Sequence, residues 1–222
     1  PSEFTAALPD VPEITETPVT VDDGLPMDDI AGSAGNDQQL APAEWFDDPE
    51  LTELTHMTVT GETVPGPDGT EWRRVYGHLA PWGTCHVGMA GCVVAPSEPG
   101  DYAHYRTGET LAYCDCADAD ERHTIRVATG QVTLGTSHAE RGLSARDATW
   151  HYDNTGSVVA RVAAGVDEHG VWLAGVIPPD VDDARTAQFR AADLSGDWRR
   201  IGGELRLVGV LACNVAGFPS PR

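Results

Sequence analysis

Short strand patterns separated by turns rich in glycine and proline make up most of the chain from residue 57 onward. In these segments, β-branched and aromatic residues alternate with polar ones, which is typical of β-strands. We predict strands over residues 57–60, 71–79, 110–114, 123–134, 157–166, 170–177, 197–201 and 204–215. A chain of many short strands is expected to form a sheet that curls or closes on itself.

Two segments carry a helical pattern. Ala139, Leu143 and Trp150 fall on one face of a helix predicted over residues 137–152. A second helix is predicted over residues 182–192, because acidic residues at its start suit the helix dipole. The predicted fold class is therefore α+β: a closed or curled, mostly antiparallel β-barrel flanked by helices.

The beginning of the chain has a different composition. Residues 1–55 contain 14 Asp or Glu and no Arg or Lys, and the first 42 residues show no hydrophobic period. Such a segment buries too little apolar area to offset the entropy lost on ordering. We predict an acidic, extended or disordered arm over residues 1–42. One domain would follow over residues 43–222, with Trp45 and Phe46 docking onto it.

Charge and cysteine content argue against several classes of function. The net charge of −21 argues against direct binding of nucleic acid, and no apolar run is long enough to span a membrane. Five cysteines without a secretory signal favour reduced thiols. The Cys85/Cys92 and Cys114/Cys116 spacings differ from those of zinc knuckles, so we predict no metal and no cofactor.

Ser195 is the candidate nucleophile. It follows the second predicted helix and precedes a predicted strand, and Gly196 beside it allows close approach to its hydroxyl. A Ser-Gly pair is equally typical of a turn. His151, at the end of the first predicted helix, is the candidate base, and His138 or Asp153 is the candidate third member of a triad.

Several short motifs around these residues follow one another in a particular order. They are His151-Tyr152-Asp153, Asp167-Glu168-His169-Gly170 before a hydrophobic strand, Leu194-Ser195-Gly196, and Phe218-Pro219 after the last strand. With this order and spacing, residues 151–219 resemble the prohead, or capsid maturation, proteases of tailed bacteriophages. Residues 43–49 and 75–86 look like the branch found in phages of actinobacteria.

The resemblance implies a herpesvirus-assemblin-like β-barrel and a serine endopeptidase packaged in the procapsid. Such an enzyme cuts scaffold or capsid-protein extensions and often itself, with Ser195 as nucleophile and His151 as base. The implied partners are the major capsid protein, the scaffold and other copies of this chain. The implied location is the procapsid or virion, assembled in the cytoplasm of the bacterial host. By the same analogy, the oxyanion would be held near residues 199–203.

One departure from the family pattern concerns the third catalytic residue. Better-known relatives carry an acid on the last strand, at the position that Ala212 occupies here, with Cys213 and Asn214 beside it. The herpesvirus enzymes use a second histidine as the third catalytic residue, and His138 is the candidate for that role here. The alternative function is a structural minor capsid or decoration protein of the same lineage, with its acidic arm packed on capsid subunits.

Overall fold

A computed structural model describes residues 40–96, 102–115 and 123–219 of the chain. The predicted acidic arm lies outside these ranges up to residue 39. The first described strand begins at Ala41, whose side chain is fully buried, so the fold starts just before the predicted boundary at residue 43. Trp45 and Phe46 follow in a short 3-10 helix, Ala43–Phe46, and both are buried as predicted.

Strands dominate the described part of the chain, and the positions of most of them agree with the sequence pattern. They are β1 (Ala41–Pro42), β2 (Thr58–Pro65), β3 (Glu71–Pro81), β4 (Gly108–Cys114), β5 (His123–Leu134), β6 (Val158–Val166), β7 (Gly170–Ile177), β8 (Asp193–Ile201) and β9 (Glu204–Cys213).

The strands form one nearly closed, mostly antiparallel sheet. Its central path runs β1-β4-β5-β6-β7-β3-β2, and the β8–β9 hairpin joins it where β9 pairs in parallel with the end of β5. Strand β8 also approaches β3, and His56, just before β2, bonds to Asp193 at the start of β8 across 3.1 Å. These contacts bring the two ends of the sheet together, so the predicted curling of the sheet is confirmed.

The core fills the inside of this curled sheet. Fully buried aliphatic side chains from five strands contribute to it, among them Val75 and Leu79 of β3, Val132 of β5, Val162 of β6, Leu173 of β7 and Leu207 of β9. Tyr102 and Tyr105 are also buried, at 1% and 3% exposure, although the sequence pattern indicated an exposed loop over residues 95–108. Tyr105 packs on Gly130 of β5 and donates a hydrogen bond to the Gln131 carbonyl, so this loop closes the core.

Two α-helices lie in the described ranges, α1 (Ala145–Tyr152) and α2 (Asp183–Ala191). Asp182 caps α2 as its acidic start suggested. The first half of the helix predicted over residues 137–152 is wrong, because Ser144 caps α1 and the chain before it is a loop. Neither helix is long and apolar enough to cross a membrane.

The expectation of reduced thiols is wrong for Cys85, Cys92 and Cys114, which are all disulfide-bonded. Cys85 and Cys92 form a disulfide, and the backbone bridge between Cys85 and Val94 brings the two cysteine Cα atoms to 4.8 Å. This separation lies within the range that a disulfide spans. The sequence spacing of seven therefore reflects a small covalently closed loop, whereas Cys213 on β9 remains a free thiol.

The close packing of Tyr105 on Gly130 predicts a large effect from a small substitution. A Cβ at residue 130 would overlap the buried tyrosine ring, so we expect Gly130→Ala to lower the free energy of unfolding by about 1–3 kcal/mol. Gly61→Ala on β2, where nothing lies within 4 Å of the added carbon, is the matched control. Urea denaturation would contradict this packing if the two variants lost equal stability.

Candidate active site

Ser195 lies inside strand β8, opposite Leu211 of β9, and not at a helix-to-strand junction as the sequence suggested. Strand β8 begins at Asp193, four residues earlier than predicted. The Ser195 residue is only 2% exposed. Gly196 beside it makes room for the side chains of Trp198 and Leu207, which a Cβ would meet at 2.8 and 2.9 Å. The backbone on both sides of Ser195 is therefore fixed.

His138 is the histidine at Ser195. Its Nε2 lies 3.0 Å from the serine Oγ, and it is carried by the loop between β5 and α1. Partial burial of the ring lowers the pKa of His138; Asp197 opposes this effect, and the charges of Arg199 and His151 add to it. The ring is therefore neutral near pH 7, and an unprotonated Nε2 can accept the serine proton.

His151, predicted to be the base, does not contact Ser195. Its Nε2 lies 2.7 Å from the carbonyl oxygen of Ser137, and its ring packs edge-on against Tyr152. The physical reason is the shortened helix: the chain from residue 137 to 144 forms a loop, which carries His138 to the serine. His151 bonds to the carbonyl oxygen of Ser137, the residue before His138, and therefore lies near the site without contacting Ser195.

The described residues supply no carboxylate that bonds to the His138 ring. The hydrogen bond of this ring within the described ranges is the one to Ser195, and Asp153 lies at the C-terminal end of α1 as its capping residue. Ala212 of the last strand pairs with Leu194 of β8. Among the described residues, Asp153 therefore does not complete a triad with Ser195 and His138.

A carboxylate does hold the loop that carries His138. Asp197, two residues beyond Ser195 on β8, is 6% exposed at its side chain and forms a bidentate ion pair with Arg199 at 2.5 and 2.8 Å. It also accepts a hydrogen bond of 2.6 Å from the hydroxyl of Tyr152. We call Asp197, Arg199 and Tyr152 the loop clamp.

The loop clamp forms hydrogen bonds with the backbone immediately after His138. The Tyr152 oxygen accepts a hydrogen bond from the N–H of Ala139 at 2.9 Å. The Arg199 guanidinium donates to four carbonyls of the loop, at distances of 2.9 to 3.3 Å, those of Ala139, Glu140, Arg141 and Leu143. Because these bonds satisfy the carbonyls that a helix would otherwise satisfy, they explain why the predicted helix starts late.

The sequence pattern does not predict the loop clamp, although it carries a signal for part of it. Residues two apart on a strand share a face, so Ser195 and Asp197 are neighbours once β8 is extended back to Asp193. The sequence pattern instead predicts a strand that starts at Asp197. The bonds from Arg199 to a loop some 60 residues earlier have no local signal.

A second loop lies against the other side of Ser195. The N–H of Gly217 donates to the serine Oγ at 3.3 Å, and the Gly217 carbonyl accepts from the N–H of Val87 at 2.9 Å. Val87 belongs to the loop closed by the Cys85–Cys92 disulfide, and His86 in that loop packs on Gly217. The oxyanion donors are predicted near residues 199–203, and Gly202 and Gly203 of that segment form the β8–β9 turn, whereas the N–H that bonds to Ser195 Oγ is that of Gly217.

A metal site is not formed by these histidines and cysteines. Within the described ranges, no three His, Cys, Asp or Glu side chains are grouped so that they could hold a metal ion. Cys85 and Cys92 are joined to each other, and Cys213 donates to the carbonyl of Val215.

Comparisons with protein-family models, with curated proteins and with solved structures found no match for this chain. The chemistry of the site therefore rests on its own geometry: a buried serine, a neutral histidine at hydrogen-bonding distance, and a backbone N–H beside the hydroxyl.

Removing the Tyr152 hydroxyl should loosen the loop clamp. Tyr152→Phe leaves a buried Asp197 oxygen and the Ala139 N–H without this partner, so we expect the free energy of unfolding to fall by about 1–3 kcal/mol. Tyr76→Phe, on a half-buried ring beneath Arg74, is the control and should change it by less than about 0.5 kcal/mol. Equal urea midpoints for the two variants would show that Tyr152 does not secure the loop.

The titration of His138 tests its electrostatic environment. Because burial, Arg199 and His151 together outweigh Asp197, the pKa of His138 should lie below the ordinary value of about 6.5. NMR detection of the ring protons against pH measures it, and the same ring in the urea-unfolded chain is the control. A midpoint in the folded protein equal to or above the unfolded one would contradict the observed surroundings.

Proposed function

We propose that this protein is a serine hydrolase of the endopeptidase type, with Ser195 as nucleophile and His138 as base. The observation that carries the proposal is the 3.0 Å contact between Ser195 Oγ and the Nε2 of a histidine whose pKa is lowered. A serine hydroxyl is a weak nucleophile until an adjacent base takes its proton. A neutral imidazole at this distance is such a base.

The reaction follows from this pair. Ser195 Oγ attacks a peptide carbonyl carbon while its proton passes to His138 Nε2, and the carbonyl oxygen becomes an oxyanion. His138 then gives that proton to the leaving amine, the C–N bond breaks, and an acyl-enzyme remains. Water attacks the ester, His138 takes its proton, and the acid leaves as the proton returns to Ser195. The N–H of Gly217 is a donor to the oxyanion.

The roles of the two histidines are therefore exchanged relative to the sequence prediction. His138 takes the role of base, and His151 becomes a positioning residue through its bond to the Ser137 carbonyl. Without a partner that orients Nδ1 of the base, the rate of a serine protease falls by orders of magnitude. A slow enzyme still suffices where the substrate is held at a high effective concentration, as inside a shell.

Apolar residues around Ser195 fit an apolar stretch of polypeptide as substrate. Val87 and Val215, 59% and 72% exposed, lie on the two segments that the Val87–Gly217 hydrogen bond joins. Met89 and Leu143 are exposed on adjoining loops, which Arg141 links through the carbonyl of Gly88. We assign these exposed side chains, on the loops beside Ser195, to binding of the substrate.

Capsid maturation is the physiological role that we propose for this activity. The nearly closed sheet with two helices, and Leu194-Ser195-Gly196 upstream of Phe218-Pro219, support an assemblin-like or prohead-protease-like fold. The substrates would be extensions of the major capsid protein and the scaffold, and cleavage would take place in a phage procapsid inside the bacterial host.

Two observations favour the alternative of a structural capsid or decoration protein of the same lineage. Ser195 is 2% exposed, and Ala212 stands where an acid is expected. A lineage that had lost the enzymatic function would show both features. Such a structural protein would stay bound to mature particles in stoichiometric amounts, whereas a maturation protease would be depleted from them.

Substitution of the three predicted site residues tests the enzyme and separates the two histidines. In cells that co-express the chain with the capsid and scaffold proteins, Ser195→Ala and His138→Ala should reduce cleavage by about 10³-fold or more. His151→Ala should reduce it by about tenfold or less, because its ring does not touch the serine. Gel analysis and mass spectrometry of the capsid protein measure this.

Three results would contradict the proposal. One is capsid-protein processing by Ser195→Ala that equals processing by the wild type. Another is His151→Ala losing as much activity as His138→Ala, which would return the role of base to His151. The third is a symmetric, stoichiometric position of the chain on mature particles without any cleavage, which would favour the structural role.

A further inference from the structure

We infer that His86 is a third functional histidine at Ser195, which donates a hydrogen bond from Nε2 to the oxyanion formed during acyl transfer. This inference rests on the proposed function, because it gives His86 a part in the same reaction. The structure brings it to the nucleophile from a loop more than 100 residues earlier in the chain.

The His86 ring and the serine hydroxyl both lie against Gly217. A Cβ built on Gly217 would meet the His86 ring at Nε2 and, at 2.8 Å, at Cδ2, and it would lie 3.1 Å from Ser195 Oγ. The His86 ring therefore occupies the place that a side chain at residue 217 would take, which brings its Nε2 close to the nucleophile. The Gly217 N–H, which points at Ser195 Oγ, is a second donor beside the nucleophile.

The hydrogen bonding of His86 determines which nitrogen carries the proton. The backbone N–H of Gly88 donates to His86 Nδ1 at 3.0 Å, so Nδ1 is the acceptor and the neutral ring carries its hydrogen on Nε2. Burial lowers the pKa of His86, and the charges of His138 and Arg141 lower it further, which keeps the ring neutral. His86 thus presents a donor where His138 presents an acceptor.

In this arrangement the two neutral histidines have different roles. His138 Nε2 takes the serine proton, and His86 Nε2–H together with the Gly217 N–H stabilises the oxygen on which negative charge develops. No proton is transferred from His86, so the balance of the reaction is unchanged. A single donor of this kind is worth about 10²- to 10³-fold in kcat.

The Cys85–Cys92 disulfide holds His86 in place. The loop it closes is attached to the domain by the Val87–Gly217 hydrogen bond and by edge-on packing of the His86 ring on Phe218 at 4.9 Å, and the bond from the N–H of His86 to the Val93 carbonyl closes it further. Both cysteines are exposed, so a reductant can reach the disulfide. Opening the disulfide removes the covalent restraint on the donor without touching Ser195 or His138.

Steady-state hydrolysis of 4-nitrophenyl acetate by the full chain tests the role of His86. We expect His86→Ala to lower kcat by about 10²-fold with little change in KM, and His86→Gln, which keeps an N–H donor, to recover at least about a tenth of the lost activity. His104→Ala, at an exposed histidine away from Ser195, is the matched control and should leave kcat unchanged. Thermal melting of each variant checks the fold.

Reduction of the disulfide gives an independent measurement that needs no substitution at residue 86. The double variant Cys85→Ser/Cys92→Ser, which leaves the disulfide of Cys114 intact, should lower kcat toward the value of His86→Ala, and treatment with a phosphine reductant, which opens both disulfides, should lower it at least as far. The double variant should add little to the effect of His86→Ala, since both changes remove the same donor. Cys213→Ser, at the free thiol, is the control.

The outcomes distinguish this inference from the proposed function. If Ser195→Ala and His138→Ala abolish ester hydrolysis while His86→Ala and the reduced protein both keep wild-type kcat, the role of His86 is overturned and the enzyme stands. If Ser195→Ala hydrolyses the ester as fast as the wild type, both are overturned. If His86→Ala does not fold, unchanged kcat on reduction overturns the role of His86, and a loss confined to KM overturns it as well.

Discussion

The buried ion pair between Asp197 and Arg199 is the interaction on which the candidate site depends. Two charges placed in a protein interior lose much of their hydration, and this cost is recovered only when each is fully bonded. Here Asp197 receives both the guanidinium and the Tyr152 hydroxyl, and Arg199 passes its remaining donors to the loop after His138. The pair therefore holds the loop after His138, which has no regular secondary structure, in one defined position.

This organisation explains why the sequence predicted the strands better than the site. Strand β5 and strand β7 have the predicted bounds, because their alternating apolar residues and the turns around them are local signals. The helix before Tyr152 was predicted too long, because the competing bonds come from Arg199, far along the chain. The exchange of His151 for His138 as the histidine at Ser195 follows directly from that error.

The contacts of the second loop at the site also come from residues far along the chain, so local sequence does not predict them. Nothing in the residues around Cys85 indicates that His86 packs on Gly217, since this contact is created by the path of β9 and the turn after it. The odd number of cysteines pointed toward free thiols, yet two of the five close the loop that carries His86. Ser195 could be singled out from the sequence because Gly196 beside it allows close approach to its hydroxyl, although a Ser-Gly pair is equally typical of a turn.

The most direct test of the central claim, that Ser195 is activated by His138, is chemical modification with a fluorophosphonate followed by mass spectrometric mapping. Such reagents phosphonylate a serine that a neighbouring base has made nucleophilic and spare ordinary serines. We predict a single adduct on Ser195, which is absent from the heat-denatured chain and from His138→Ala. Equal labelling of His138→Ala and the wild type, or adducts spread over other serines, would contradict the claim.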